Sequence, residues 1–200
     1  MSPVFRLCDE YLTQWAALDP VAAGMRGLSS AFGAATDYGP DGHAARAELI
    51  ARTLTALGGL PVTSDADRLA ALFLRERLRT QAAWHEAGEP LRELRAPIGR
   101  VMSVRDSVDL LPRTGDEAWR DIAARLEAVP AMFASWRASL GEGLRLGLPA
   151  ARRQAIAAAA QAEQYAQAGT HGALIASYGD GPARSCVTAA APRSTVSFPK

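Results

Sequence analysis

The chain has 200 residues, with 22 basic and 21 acidic side chains, a formal net charge of +1, 48% hydrophobic and 22% charged residues. That is enough for one domain with a proper core, or one domain plus a tail. A near-neutral balance excludes a global field that would gather nucleic acid or an anionic membrane, so neither is expected as a partner.

Phe5, Cys8, Leu12 and Trp15 recur at steps of three and four, which predicts a helix over 4–18. Asp19-Pro20 ends it and opens a short second turn, with Asp19 as N-cap and Pro20 at the first helical position. Residues 27–42 are rich in Gly, Ser, Asp and Pro and read as a loop. A helix resumes from Pro40 to Leu57 with Ala47, Ile50, Leu54 and Leu57 inward, and Gly58-Gly59 stops it. Ser64-Asp65-Ala66-Asp67 resembles a capping box. It opens the longest helix, whose stripe is Leu69, Leu72, Phe73, Glu76, Thr80, Ala83 and Trp84, running to about Ala87 before Gly88.

Residues 88–102 carry Pro90, Pro97 and Gly99 and read as irregular, and a short helix is expected from Val104 to Leu110. Thr114-Gly115-Asp116-Glu117 reads as a second capping box opening a helix through Ala128. Pro130 then starts another, with Phe133, Trp136, Leu140 and Leu144 on one face and Gly147 closing it. Pro149 opens a last helix through Ala168. No run of β-branched residues with period two suggests a sheet. The expected fold is all-α: six or seven helices in an antiparallel array, forming one helical domain over 1–180.

From Gly181 to Lys200 the chain has no acidic residue, three Pro and several Ser and Thr, and its apolar residues form no helical stripe. A disordered tail is expected over 181–200. Cys8 reads as a small buried hydrophobe, and Cys8 and Cys186 together give neither a disulfide framework nor metal-ligand spacing. That fits a reducing cytoplasm, and a cytoplasmic location is expected. The N-terminus has no signal-peptide pattern, and no run approaches the ~18 apolar residues of a membrane span.

Three histidines, His43, His85 and His171, are the natural starting points for chemistry. Trp84-His85-Glu86-Ala87-Gly88-Glu89 carries the first two letters of H-E-x-x-H, with Glu89 where the second His would stand. That motif needs both ligands on one face of an unbroken helix, and Gly88 and Pro90 break the helix here. A His at a helix C-terminus, favoured by the dipole, is the preferred reading of His85. His43 is expected at the surface. No nucleophile elbow and no nucleotide-binding glycine fingerprint is present. Trp15, Trp84, Trp119 and Trp136 fall at helical positions and read as packing between helices rather than as a ligand cage. Arg95 to Arg113, with Arg100, Arg105, Asp106 and Asp109, reads as a structural corner held by Arg–Asp pairs in preference to a cleft lining. No residue is assigned as catalytic, metal-ligating or cofactor-binding.

Phe5-Arg6-Leu7-Cys8-Asp9-Glu10-Tyr11, Leu18-Asp19-Pro20-Val21-Ala22-Ala23, the stretch Pro97-Ile98 to Asp106-Ser107-Val108-Asp109-Leu110-Leu111-Pro112, and the run from Arg125 to Pro130 through Leu140, Gly143 and Gly147-Leu148-Pro149 together resemble the bacterial domain-of-unknown-function 885 proteins. The likeness covers about 4–180 and stops near Asp180-Gly181-Pro182, where composition also shifts. Full-length members of that family are mostly helical and resemble zinc metallopeptidases. Their metal motif, H-E-x-x-P-G-H-H, lies in the C-terminal half and matches no residue here, so the resemblance implies zinc only for full-length members.

The resemblance implies the helical scaffold of a peptidase-like fold without its active site. The leading expectation is a truncated, catalytically inactive N-terminal portion of a zinc-metallopeptidase-like protein. Such a portion exposes an apolar face through which it can self-associate. A stand-alone helical protein-interaction module is the alternative, and a small hydrolase using His85 with Glu86 or Glu89 is a third reading.

Overall fold

The computed structural model describes residues 1–28 and 33–167, and among these the regular structure is helical throughout. Seven α-helices occur: α1 Pro3–Leu18, α2 Pro20–Gly24, α3 Pro40–Gly58, α4 Asp65–Glu86, α5 Arg100–Asp109, α6 Asp116–Arg145 and α7 Arg152–Gln167, with a 3₁₀ turn at Glu89–Arg92. The all-α expectation therefore holds. The tail expected over 181–200, together with Cys186 and His171, lies outside the described residues.

The chain divides into two compact units. The first comprises residues 1–19, 36–93 and 134–149. Its framework is α1, α3 and α4. Ser2 caps α1 by accepting a hydrogen bond from the Phe5 N–H, and Ser64 caps α4 by accepting from the Asp67 N–H at 3.1 Å. The return bond goes to the residue before the cap: the buried Asp67 carboxylate accepts from the Thr63 N–H at 3.1 Å and the Thr63 hydroxyl at 2.7 Å. Hydrogen bonds from Ser2 and Thr63 hold the Asp67 carboxyl below its ordinary range.

Two buried clusters fix the register. Val4, Leu57 and Ala71 meet at one end, and Tyr11, Leu49, Ile50 and Leu78 in the middle. Residue numbers rise along α1 as they fall along α3, and fall along α3 as they rise along α4, so α3 runs antiparallel to both neighbours. The Tyr11 hydroxyl donates to Gln81 Oε1 at 3.1 Å and ties α1 to α4.

The buried residues of α4 are Asp67, Ala71 and Leu78, with Leu74 and Ala82 packed partly beneath them. At 100° per residue this face lies opposite the stripe read from the sequence. Leu69, Leu72 and Phe73 are 56%, 57% and 72% exposed, and Trp84 is 38% exposed. An apolar stripe is ordinarily the packing face of a helix. On α4 the inner face combines the small Ala71 and Ala82 with Leu74 and Leu78, while Leu69, Leu72 and Phe73 point away. α1 shows a milder rotation. Val4 and Tyr11 are buried, and Phe5 and Leu12 are 41% and 43% exposed.

The second unit comprises, of the described residues, 20–28, 33–35, 94–133 and 150–167. Its core is Val108 and Leu111 from α5 and its end, with Trp119, Ile122, Ala123 and Leu126 from α6. α7 is tied to the chain around the cis Ala96–Pro97 peptide: Gln154 Oε1 accepts from the Ala96 N–H at 2.9 Å, and Gln161 Nε2 donates to the Pro97 carbonyl at 2.8 Å.

Three expected boundaries differ. α7 begins at Arg152 rather than Pro149. α5 begins at Arg100 rather than Val104. The two helices expected to meet at Pro130 are one helix, α6, with Pro130 inside it. Proline removes one helical hydrogen bond, yet Leu126 and Met132 on either side are fully buried, and anchoring both flanks outweighs the break.

Candidate functional site

Antiparallel pairing brings the first turn of α3 against the last turn of α4. His43 and His85 meet there, with ring centroids 6.1 Å apart and ring planes inclined at 62°. His43 is 7% exposed, contrary to the surface position expected for it. Its neighbour Arg46, one turn on along α3, explains the burial. Arg46 Nη2 lies 3.0 Å from His43 Nδ1, and Arg46 Nη1 donates to the Leu18 carbonyl at 3.2 Å. A guanidinium can only donate, so Nδ1 accepts, and the proton of the neutral His43 ring resides on Nε2.

His85 lies edge-on to Trp84, with centroids 5.3 Å apart. Burial, and then the Arg46 charge, push its pKa below the ordinary imidazole value of 6.5, so His85 is neutral at pH 7. The two rings line a pocket of about 270 Å³ with Pro40, Ala44, Ala47, Pro90, Leu91 and Glu142. Gly143 allows this arrangement, because a Cβ there would collide with the Leu91 carbonyl. Gly88, at φ +68°, turns the chain sharply after α4 and places the 3₁₀ turn. Glu142 is clamped by Arg145, Nε to Oε2 at 2.7 Å and Nη2 to Oε1 at 2.5 Å, and this hydrogen bonding draws its carboxyl below the usual range.

The geometry argues against a metal at this place. A zinc ligand presents an unprotonated ring nitrogen, commonly Nε2 with Nδ1–H turned to a carbonyl or carboxylate. At His43 Arg46 imposes the reverse tautomer, and its own charge repels a cation. Among the described residues no group of three His, Cys, Asp or Glu could hold a metal ion. The pocket lining holds no Ser, Thr, Cys or Lys. Glu86 is exposed, and Glu89 is bound to Arg92 in the 3₁₀ turn. The residues of the H-E-x-x string are therefore not convergent.

Arg105 of the Arg95–Arg113 stretch pairs with Asp109 at 3.4 Å, and its guanidinium lies 5.0 Å from the centre of the Tyr165 ring. Arg113 donates to the Asp109 carbonyl at 2.9 Å. These contacts fit the structural-corner reading. Trp119 and Trp136 are buried, and the Trp136 N–H donates to the Glu93 carbonyl at 3.1 Å. Trp15 packs on the middle cluster. Packing therefore accounts for three of the four tryptophans, and Trp84 differs because it sits at the edge of the open α4 stripe. No sequence motif signals Arg46, Glu142 or the outward face of α4. Among the described helices none is long and apolar enough to cross a membrane.

A family model described as "Bacterial protein of unknown function" (DUF885) matches residues 20–195. No curated protein matches the chain. The family match begins after the Phe5–Tyr11 string and continues past Asp180. The compositional change at 181 is therefore not the end of family sequence, contrary to the expectation above. With most of its length matched, the chain belongs to the DUF885 family of bacterial proteins.

Proposed function

We propose that this chain is a non-catalytic helical scaffold, related to zinc-metallopeptidase-like proteins, that works by presenting the outer face of α4 to a helical partner. One observation carries the reading: the apolar stripe of α4 faces away from the core, with Leu69, Leu72 and Phe73 each more than half exposed. A contiguous apolar face of this kind marks an interaction surface. The same face would serve an inactive portion of a peptidase-like protein and an interaction module alike, since both must dock. The tautomer imposed on His43 and the scattered placement of Glu86 and Glu89 support a scaffold without a metal centre of its own.

The test is metal analysis of the purified chain, a peptidase assay, and titration with a solvatochromic hydrophobic dye. The expected result is zinc well below one per chain, no hydrolysis above buffer, and dye binding that Phe73→Glu abolishes. Stoichiometric zinc lost in His85→Ala, together with hydrolysis, would replace this reading with the hydrolase one. Dye binding unaffected by Phe73→Glu would remove the docking face.

A further inference from the structure

We propose that the occupant of the α4 face is a second copy of the chain, bound through an antiparallel α4–α4 pairing about a two-fold axis. This rests on the reading of α4 as a docking face and names its partner.

The argument is the arrangement of charge around the stripe. α4 has 22 residues and spans about 33 Å. Its outer face carries Leu69, Leu72, Glu76, Thr80 and Ala83 along the middle. Exposed Arg68, Arg79 and Glu86 lie along one flank, and Phe73 and Trp84 along the other. A two-fold axis perpendicular to two antiparallel helices sets each flank against its own copy. With the axis between Arg77 and Leu78, Glu76 faces Arg79 of the second copy and Leu72 faces its Ala83. Arg68 comes within one residue of Glu86 of the second copy, and Phe73 comes beside its Trp84. Each opposite-charge pair occurs twice, and the large Leu72 meets the small Ala83 twice.

The parallel alternative fails on the same residues. In register it stacks Glu76 on Glu76 and Leu72 on Leu72, and leaves Ala83 facing Ala83. Like charges would be juxtaposed along the seam. The stripe thus has a complementary partner in its own inverted copy.

The area sets the strength. At roughly 200 Å² per large side chain, the exposures of Leu69, Leu72, Phe73 and Trp84 leave roughly 450 Å² of apolar surface per copy. Two copies give about 900 Å², and the arginine stems must supply the rest to reach the roughly 1,200 Å² of a small specific interface. The expected dimer is weak, with Kd on the order of micromolar, and reversible on dilution.

Sedimentation velocity of the full chain over a range of concentrations around the micromolar tests this, with far-UV circular dichroism confirming that each variant folds. Phe73 is 72% exposed, so Phe73→Glu leaves the core intact. The wild type is expected to shift from monomer to dimer with concentration, and Phe73→Glu to remain monomeric. Glu76→Arg alone and Arg79→Glu alone should each weaken association about ten-fold, two symmetry-related exposed pairs contributing together. The double exchange should restore it. Absence of rescue by the double exchange would overturn the antiparallel register. A monomer at every concentration that still loses dye binding in Phe73→Glu would overturn self-pairing but keep the docking face. A monomer whose dye binding is indifferent to Phe73 would remove both.

Discussion

Leu78 and Phe73 sit five residues apart on α4 and face opposite ways, and truncating each to alanine separates the inner face from the outer one. Leu78 is fully buried among Tyr11, Leu49 and Ile50. Leu78→Ala removes three carbons from the middle of the α1–α3–α4 core. At about 0.8 kcal/mol per buried methylene the transfer loss is about 2.4 kcal/mol. The void left between three helices adds a cavity cost, for a total of about 3–4 kcal/mol. Phe73 is 72% exposed, so only about a quarter of its transfer free energy is realised in the folded chain, or about 0.7 kcal/mol. Alanine regains about 0.5 kcal/mol through its higher helix propensity. Phe73→Ala should therefore leave stability within about 0.5 kcal/mol of wild type.

Urea denaturation followed by tryptophan fluorescence measures both, at dilute protein so that association does not contribute. The expected outcome is a large drop in midpoint for Leu78→Ala and almost none for Phe73→Ala. A Phe73→Ala loss comparable to that of Leu78→Ala would refute the assignment of faces, and with it the docking surface. The periodicity of the sequence alone predicts that reverse result, so the experiment is decisive in both directions.

Two further outcomes follow from the His43–His85 corner. Because the folded pKa of His85 is depressed, the unfolded chain takes up a proton that the folded chain refuses once pH falls below about 6.5. Stability should thus fall as pH drops below 6.5, with a slope from this group of at most ~1.4 kcal/mol per pH unit, until the folded pKa is reached. Above about pH 7.5 both states are neutral and the group contributes no pH dependence. Urea midpoints from pH 5 to 8 should show this slope in the wild type and a flatter profile in His85→Asn; identical profiles would contradict it. Gly88→Ala should destabilise by about 1–2 kcal/mol, since a side chain is strained at φ +68° and its Cβ would also crowd Leu148. A neutral Gly88→Ala in thermal melts would show that the chain leaves α4 by another turn.

Local signals served the helices well where one rule governed the outcome. Ser64 and Asp67 form the cap that their spacing announces, Pro20 opens α2, and Gly88 ends α4, because these decisions rest on backbone groups a few residues away. Pro130 misled because its local cost is overridden by distant packing at Leu126 and Met132. The meeting of His43 and His85 needs long-range information, yet it was open to simple arithmetic. Leu57 with Ala71, Ile50 with Leu78, and His43 with His85 are each symmetric about Ser64, the cap between the two helices. Once α3 and α4 are taken as a hairpin, the contact follows.

The orientation of α4 exposes a deeper reason why part of the site was illegible. Periodicity reports which residues share a face, and it is silent on what that face meets. A helix with one apolar stripe must turn it inward only when that stripe is its sole means of packing. On α4 a second face, made of small and aliphatic residues around Leu78, packs closely enough on α1 and α3 to hold the helix by itself. The larger stripe is then released from the core and left exposed to water. On the proposed reading, that two-faced design separates a docking helix from a core helix, and its signature is the inner row of Ala71, Leu78 and the partly buried Ala82 rather than the conspicuous Leu69–Leu72–Phe73 one.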